Sequence, residues 1–169
     1  MKRTVAIIKP DAVYDGLWES IRSRYIEAGL EVVEEIHLTL TDEEARDFYA
    51  PHSTKRFFGG LVLSMSFRPC VALLLKHPTK DAVEVVRALN GAYTANPSDY
   101  PKGTIRGDFR GAGGPFNRVH GSESAEEAVR EWEVVLAHLA HKEKLKTKGY
   151  SVSYRPEYCP RGTTGIWVP

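Results

Sequence analysis

The sequence predicts an α+β domain on a ferredoxin-like β-α-β-β-α-β plan, with a mostly antiparallel four-stranded sheet and helices on one face. Three observations predict it. Apolar, β-branched runs alternate with segments of helical spacing. Once a small helix after the second strand is discounted, the order of these segments matches the plan. From Ala92 to Phe116 no periodicity survives, which marks one long loop inside an otherwise regular chain.

The elements follow in order. "RTVAIIK" reads as a buried strand ended by Pro10. In "GLWESIRSRYIEAG", Leu17, Ile21, Tyr25 and Ala28 recur at helical spacing, and Gly29 is the stop. "LEVVEEIHLTL" reads as the second strand. Thr41 and Glu44 in "TDEEARDFYA" form a capping-box pattern that starts a short helix. "STKRFFGGLVLSM" reads as short helical turns. "RPCVALLLK" is apolar enough for a central strand, and "PTKDAVEVVRALNG" is a helix with Ala82, Val83, Val86 and Leu89 inside. The loop "NPSDYPKGTIRGDFRGAGGPF" is dominated by glycine and proline, and "NRVHGS" reads as a short fourth strand. The last helix, "ESAEEAVREWEVVLAHLAHK", has a second capping box in Ser124 and Glu127. Its expected inner face is Ala125, Ala128, Val129, Trp132, Val135, Leu136 and Leu139. One domain over residues 1–140 is expected. A basic, then Tyr-, Pro- and Gly-rich extension over 141–169 would pack on that domain or on a neighbouring subunit.

Bulk properties exclude several classes. The chain has 169 residues, 42% hydrophobic and 27% charged, with a net charge of +1, so no overall field argues for nucleic acid or membrane. No apolar run is long enough to cross a bilayer, and Lys9 and Pro10 follow the first apolar run too soon for a signal peptide. Two cysteines, Cys70 and Cys159, fit a reducing cytoplasm better than a disulfide scaffold. No phosphate-loop, dinucleotide or protein-kinase signature is present, and no Cys/His metal spacing. A local cluster of Lys102, Arg106, Arg110 and Arg118 leaves open a non-catalytic module that binds nucleotides or nucleic acid.

The chemistry gathers around His120. A lone histidine near a helix start is more often structural, but its neighbours favour reaction. Gly121 permits close approach, Ser122 offers a hydroxyl, and the following helix directs free N–H groups back toward this spot, which favours phosphate. Imidazole supplies a neutral nucleophilic nitrogen near pH 7. Glu131, two turns along the helix from Ser124, either orients a ring nitrogen of His120 or forms a solvated surface pair. Lys9, Arg87 and Arg106 are the cations that phosphoryl transfer would need. Phe57 and Phe58 are either core or, through one exposed ring, a stacking platform for a base. Tyr49 is either packing or a phenol near phosphate.

"TVAIIKPDAV", "FYAPHSTKRFFGGLV", "GTIRGDF" and "NRVHGSESAEEAVRE", in that order, resemble the nucleoside diphosphate kinases, over about Lys2 to Val135. The resemblance implies ping-pong transfer of the γ-phosphate of a nucleoside triphosphate to His120 and then to a nucleoside diphosphate, with broad base specificity. It implies that Glu131 and Ser122 support His120. Lys9, Tyr49, Arg87, Thr94, Arg106 and Asn117 would contact phosphates or sugar, and Phe57 would lie under the base. It further implies Mg²⁺ bridging the phosphates, and a homo-oligomer, hexamer or tetramer, built from dimers. The chain departs from the family pattern at Asp15, where arginine is usual, at Glu19, where glycine is common, and at Arg56, where proline is usual. About two extra residues lie between Gly91 and Gly103, and about one within "RGAGGPF".

Overall fold

The computed structural model describes residues 3–94 and 96–148. The strands are β1 (Arg3–Ile8), β2 (Glu31–Leu38), β3 (Cys70–Lys76) and β4 (Val119–Gly121). They form one sheet in the order β2-β3-β1-β4, and each neighbouring pair is antiparallel. The two apolar strands, β1 and β3, lie at the centre because both of their faces are buried. β4 has only three residues. Its register sets Ile7 opposite His120 and Ala6 opposite Gly121, so the rigid central strand fixes the histidine.

Helices cover both faces, which corrects the expectation of one. Alternate side chains of β1 and β3 split into two cores. Val5, Ile7, Ala72 and Leu74 pack under α3 (Asp42–Phe48), α4 (Phe58–Ser66) and α7 (Ala125–Thr147). Ala6, Ile8, Val71, Leu73 and Leu75 pack under α1 (Pro10–Tyr14), α2 (Trp18–Glu27), α5 (Ala82–Asn90) and α6 (Ile105–Phe109). The two crossover helices of the ferredoxin-like plan, α2 and α5, do share one face. α4 is a nine-residue helix where only short turns were expected. The long loop holds a short 3-10 turn at Pro97–Asp99 and the helix α6.

Both halves of the Thr41–Glu44 capping box form. At α7, Ser124 accepts the Glu127 N–H, while the Glu127 carboxylate pairs with Arg130, so the second box is half made. The inner face of α7 keeps Ala128, Trp132, Val135 and Leu139 of the expected one but not Val129 and Leu136. Ala128, Glu131, Trp132, Val135 and His138 are buried, while Val129 and Leu136 face outward. Polar burial is tolerated because both polar side chains are paired: Glu131 with His120, and His138 with Glu44 at 2.8 Å. α7 continues through residue 140 to Thr147; the remainder of the expected extension, 149–169, lies outside the described residues. Cys70 is a buried thiol, pushed up to about 12 by desolvation. Among the described residues no helix is long and apolar enough to cross a membrane.

Candidate active site

His120 lines a cleft of about 750 Å³ on the β4 side of the sheet. Its Nε2 lies 2.8 Å from Oε1 of Glu131. The other Glu131 oxygen accepts the Ser122 hydroxyl at 2.6 Å, and Ser122 Oγ in turn accepts the Val5 N–H at 3.2 Å. Glu131 is only 3% exposed. Burial pushes its carboxyl up, but the His120 ring, the Ser122 hydroxyl and the Arg130 charge outweigh it, and the net shift is downward. A carboxylate is thus kept ionised against one ring nitrogen. Gly121 is required by close packing, since a Cβ there would meet Val86 and Asn90 of α5 at 2.8 Å.

Two aromatic edges complete the imidazole's surroundings. The Phe48 ring lies 5.1 Å and the Tyr49 ring 5.8 Å from it, centroid to centroid, both nearly perpendicular. Both rings come from the end of α3. Arg130 caps that end by donating to the Asp47 and Phe48 carbonyls at 2.9 Å. Burial drives the Tyr49 phenol up, so it stays protonated.

The cations approach from three elements. Lys9, at the end of β1, is buried and donates to the Pro115 carbonyl at 2.9 Å. Desolvation lowers it to about 7, against an opposing pull from Asp11, and Arg106 adds to the lowering. Arg106 of α6 donates to the Gly91 carbonyl and, at 2.9 Å, to the Val119 carbonyl, which ties the long loop to β4. Arg87 of α5 sits half-exposed with a Glu123 carboxylate 3.9 Å away. Asn117 donates to the Gly114 carbonyl at 3.2 Å. Three buried polar atoms of cleft residues have no hydrogen-bond partner among the described residues: the Tyr49 hydroxyl, Arg106 Nε and Asn117 Oδ1.

Phe57, 56% exposed, forms the outer wall beside His52, with ring centroids 6.1 Å apart. Thr94 is the one assigned contact residue that does not line the cleft, apart from Ser122, which stands behind Glu131. The Thr94 hydroxyl donates to the Asn96 carbonyl at 2.8 Å. Its neighbour Tyr93 lines the cleft instead and is 58% exposed.

Sequence reasoning did not single out Phe48, Tyr93, Arg130 or the turn before His120. The only signal for Phe48 was its place beside Tyr49 at the end of a capped helix. The turn is a three-residue one, closed by the Val119 N–H on the Asn117 carbonyl at 2.9 Å, with Arg118 at φ 74°. The expected basic cluster does not form one surface. Arg106 and Arg118 turn their guanidinium groups inward onto carbonyls, and only Lys102 and Arg110 are exposed.

The model of the nucleoside diphosphate kinase family matches residues 2–140. A nucleoside diphosphate kinase of Pasteurella multocida is 44% identical over 131 residues, which cover 78% of this chain and 91% of that protein. One from Methanosarcina barkeri is 40% identical over 131 residues, covering 78% of this chain and 85% of that protein. Among solved structures, the nucleoside diphosphate kinase of Aquifex aeolicus superposes with a TM-score of 0.73 at 32% identity, covering 79% of this chain and 94% of its own. The halophilic enzyme from Halobacterium salinarum, solved in complex with CDP, superposes at 0.70 with 36% identity, covering 79% of this chain and 86% of its own. A cationic cleft around an oriented histidine, on this sheet order and with relatives this similar, admits one conclusion: the chain belongs to the nucleoside diphosphate kinase family and moves the terminal phosphate of a nucleoside triphosphate onto a nucleoside diphosphate.

Proposed function

We propose that His120 carries the phosphoryl group between the two nucleotides, through Nδ1. One observation carries this reading. Glu131 engages Nε2 at 2.8 Å, so the proton resides there and the Nδ1 lone pair is left as the nucleophile. In the first half-reaction Nδ1 attacks the γ-phosphorus, the bond to the β,γ-bridging oxygen breaks, and the nucleoside diphosphate leaves with that electron pair. In the second, a terminal β-phosphate oxygen of the acceptor attacks the same phosphorus and the N–P bond breaks. The phosphorylated ring is an imidazolium, and the Glu131 carboxylate, held by Ser122, balances its charge.

Lys9, Arg87, Arg106 and Asn117 hold phosphates or sugar, and the Tyr49 phenol donates to the phosphates. The unpartnered Tyr49 hydroxyl, Arg106 Nε and Asn117 Oδ1 support this, because all three line the cleft and a bound nucleotide would supply the partners they lack. The Thr94 hydroxyl spends its proton on Asn96 and lies outside the cleft lining, whereas Tyr93 already faces the cleft. Phe57 stacks on the base without reading its edge, so purines and pyrimidines are both accepted.

The nucleotide's phosphates would face Lys9, Arg87 and Arg106, and Mg²⁺ brought in with the substrate would supply further neutralisation of their charge. The working form is a homo-oligomer, hexamer or tetramer of dimers, in the cytoplasm. Exposed apolar side chains on the edge strand β2 and the outer face of α7, Val33, Val129 and Leu136, support subunit contacts. Residues 1–140 form the catalytic domain, and its last helix, α7, runs on to Thr147. Capture of label from γ-labelled ATP by the wild type, and by no His120→Ala protein, tests the assignment.

A further inference from the structure

We infer that Arg118 is a positioning residue whose guanidinium clamps the turn before His120 onto helix α1 and the end of α6, and through it sets Lys9, Asn117 and the histidine relative to one another. It rests on the reading that these three residues serve the phosphoryl group.

The backbone at this turn cannot hold itself. Arg118 is the only residue other than glycine with a positive φ among the described residues, and the left-handed region is disfavoured for a side chain with a Cβ. Such a conformation persists only where its surroundings over-determine it. The side chain does this. Nη1 donates to the Asp11 carbonyl at 2.8 Å and meets the Asp15 carboxylate at 2.7 Å. Nη2 donates to the Arg110 carbonyl at 2.7 Å, and Nε to the Phe109 carbonyl at 3.0 Å. The backbone N–H donates to the Asp11 carboxylate at 3.2 Å. All three guanidinium nitrogens are used, and the residue is 8% exposed. A planar fork with fixed donors reaches both segments from one rigid group, whereas a lysine ammonium offers a single point with rotatable donors.

The clamp is joined directly to the chemistry. The Lys9 N–H donates to the Arg118 carbonyl at 2.8 Å, and Lys9 Nζ donates to Pro115 of the same loop at 2.9 Å. Lys9 is therefore held at both ends by the segment that Arg118 pins. Asn117 precedes Arg118, and His120 follows it by two residues. Asp15 stands where the resembled family usually has arginine; here an arginine would face the Arg118 guanidinium.

The test compares wild type with Arg118→Leu, Arg118→Lys and Asp15→Arg. It reads kcat and KM for phosphate transfer, the rate of labelling from γ-labelled ATP, thermal melting, and amide exchange at Lys9 and Val119. The expected result for Arg118→Leu is a cooperative melt, faster exchange at both amides, and a fall in kcat/KM of about tenfold to a hundredfold, the scale of a misplacement near 1 Å. Asp15→Arg should raise KM, and adding Arg118→Leu to it should cost less than the two single changes multiplied, because the like charges no longer meet. If Arg118→Leu does not fold, Arg118→Lys decides: it keeps the charge but not the fork, and should still speed exchange at Val119 and lower kcat/KM. A folded variant with a lower melting temperature but unchanged kcat, KM and exchange would overturn the clamp. Failure of the wild type to take up label on His120 would instead overturn the reading beneath it, while the exchange result would still stand.

Discussion

The Glu131 carboxylate spans two partners, His120 Nε2 at 2.8 Å on one oxygen and the Ser122 hydroxyl at 2.6 Å on the other. This fixes both the orientation of the ring and the nitrogen left free to react. Glu131→Gln keeps the shape and removes the charge. It should lower kcat by about tenfold to a hundredfold, the scale at which an outer partner that orients a functional histidine acts. KM should change little and the protein should remain folded, as checked by steady-state kinetics beside a thermal melt. An unchanged kcat would mean that the carboxylate has only a packing role.

Phe57 offers a ring face and no edge-reading group. Phe57→Ala should weaken ADP, GDP and CDP binding alike, by about 1–3 kcal/mol as for loss of a base-stacking aromatic. Titration calorimetry with the three diphosphates checks it. A loss confined to one base would assign Phe57 a different job.

Lys9 makes nucleotide binding depend on pH in a stated direction. Burial lowers the free protein's amine to about 7, and a bound phosphate restores its charge. Binding at pH 8 should therefore take up a proton, and the ADP dissociation constant should rise between pH 7 and 9. Calorimetry in buffers of different ionisation enthalpy measures the uptake, which should vanish in Lys9→Met. The free protein's stability follows from the same shift. Between about pH 7 and the unfolded lysine value near 10.4, the unfolded chain binds the extra proton, so this lysine makes stability rise with pH there. Below 7 its burial cost is fully present.

Tyr93 and Thr94 separate by geometry. Tyr93 faces the cleft, while the Thr94 hydroxyl is committed to Asn96. Tyr93→Ala should raise KM for nucleotides several-fold, and Thr94→Ala should raise it less. The reverse order would mean that this segment rearranges when nucleotide binds.

Much of the fold was legible because it rests on local rules. The apolar runs of β1 and β3 read as central strands, and the Thr41–Glu44 box marks the start of α3 correctly. Periodicity placed Ala128, Trp132, Val135 and Leu139 correctly on the inner face of α7 but wrongly added Val129 and Leu136, because Glu131 and His138 are buried through partners distant in sequence, Ser122 and His120 on one side and Glu44 on the other. No window of a dozen residues contains that information. Lys9, Tyr49, Phe57, Arg87, Arg106 and Asn117 line the His120 cleft and Thr94 does not, and which side chain of an aperiodic loop faces inward is not encoded in any local pattern. The turn at Arg118 was invisible because a left-handed arginine carries no sequence signal of the kind glycine gives.

The most direct test of the central claim is to isolate the protein after exposure to γ-labelled ATP, locate the label, and then add GDP or CDP. The account predicts base-stable, acid-labile label on Nδ1 of His120, none in His120→Ala, and quantitative transfer to GTP or CTP. Label that persists in His120→Ala, or that neither diphosphate removes, would contradict it.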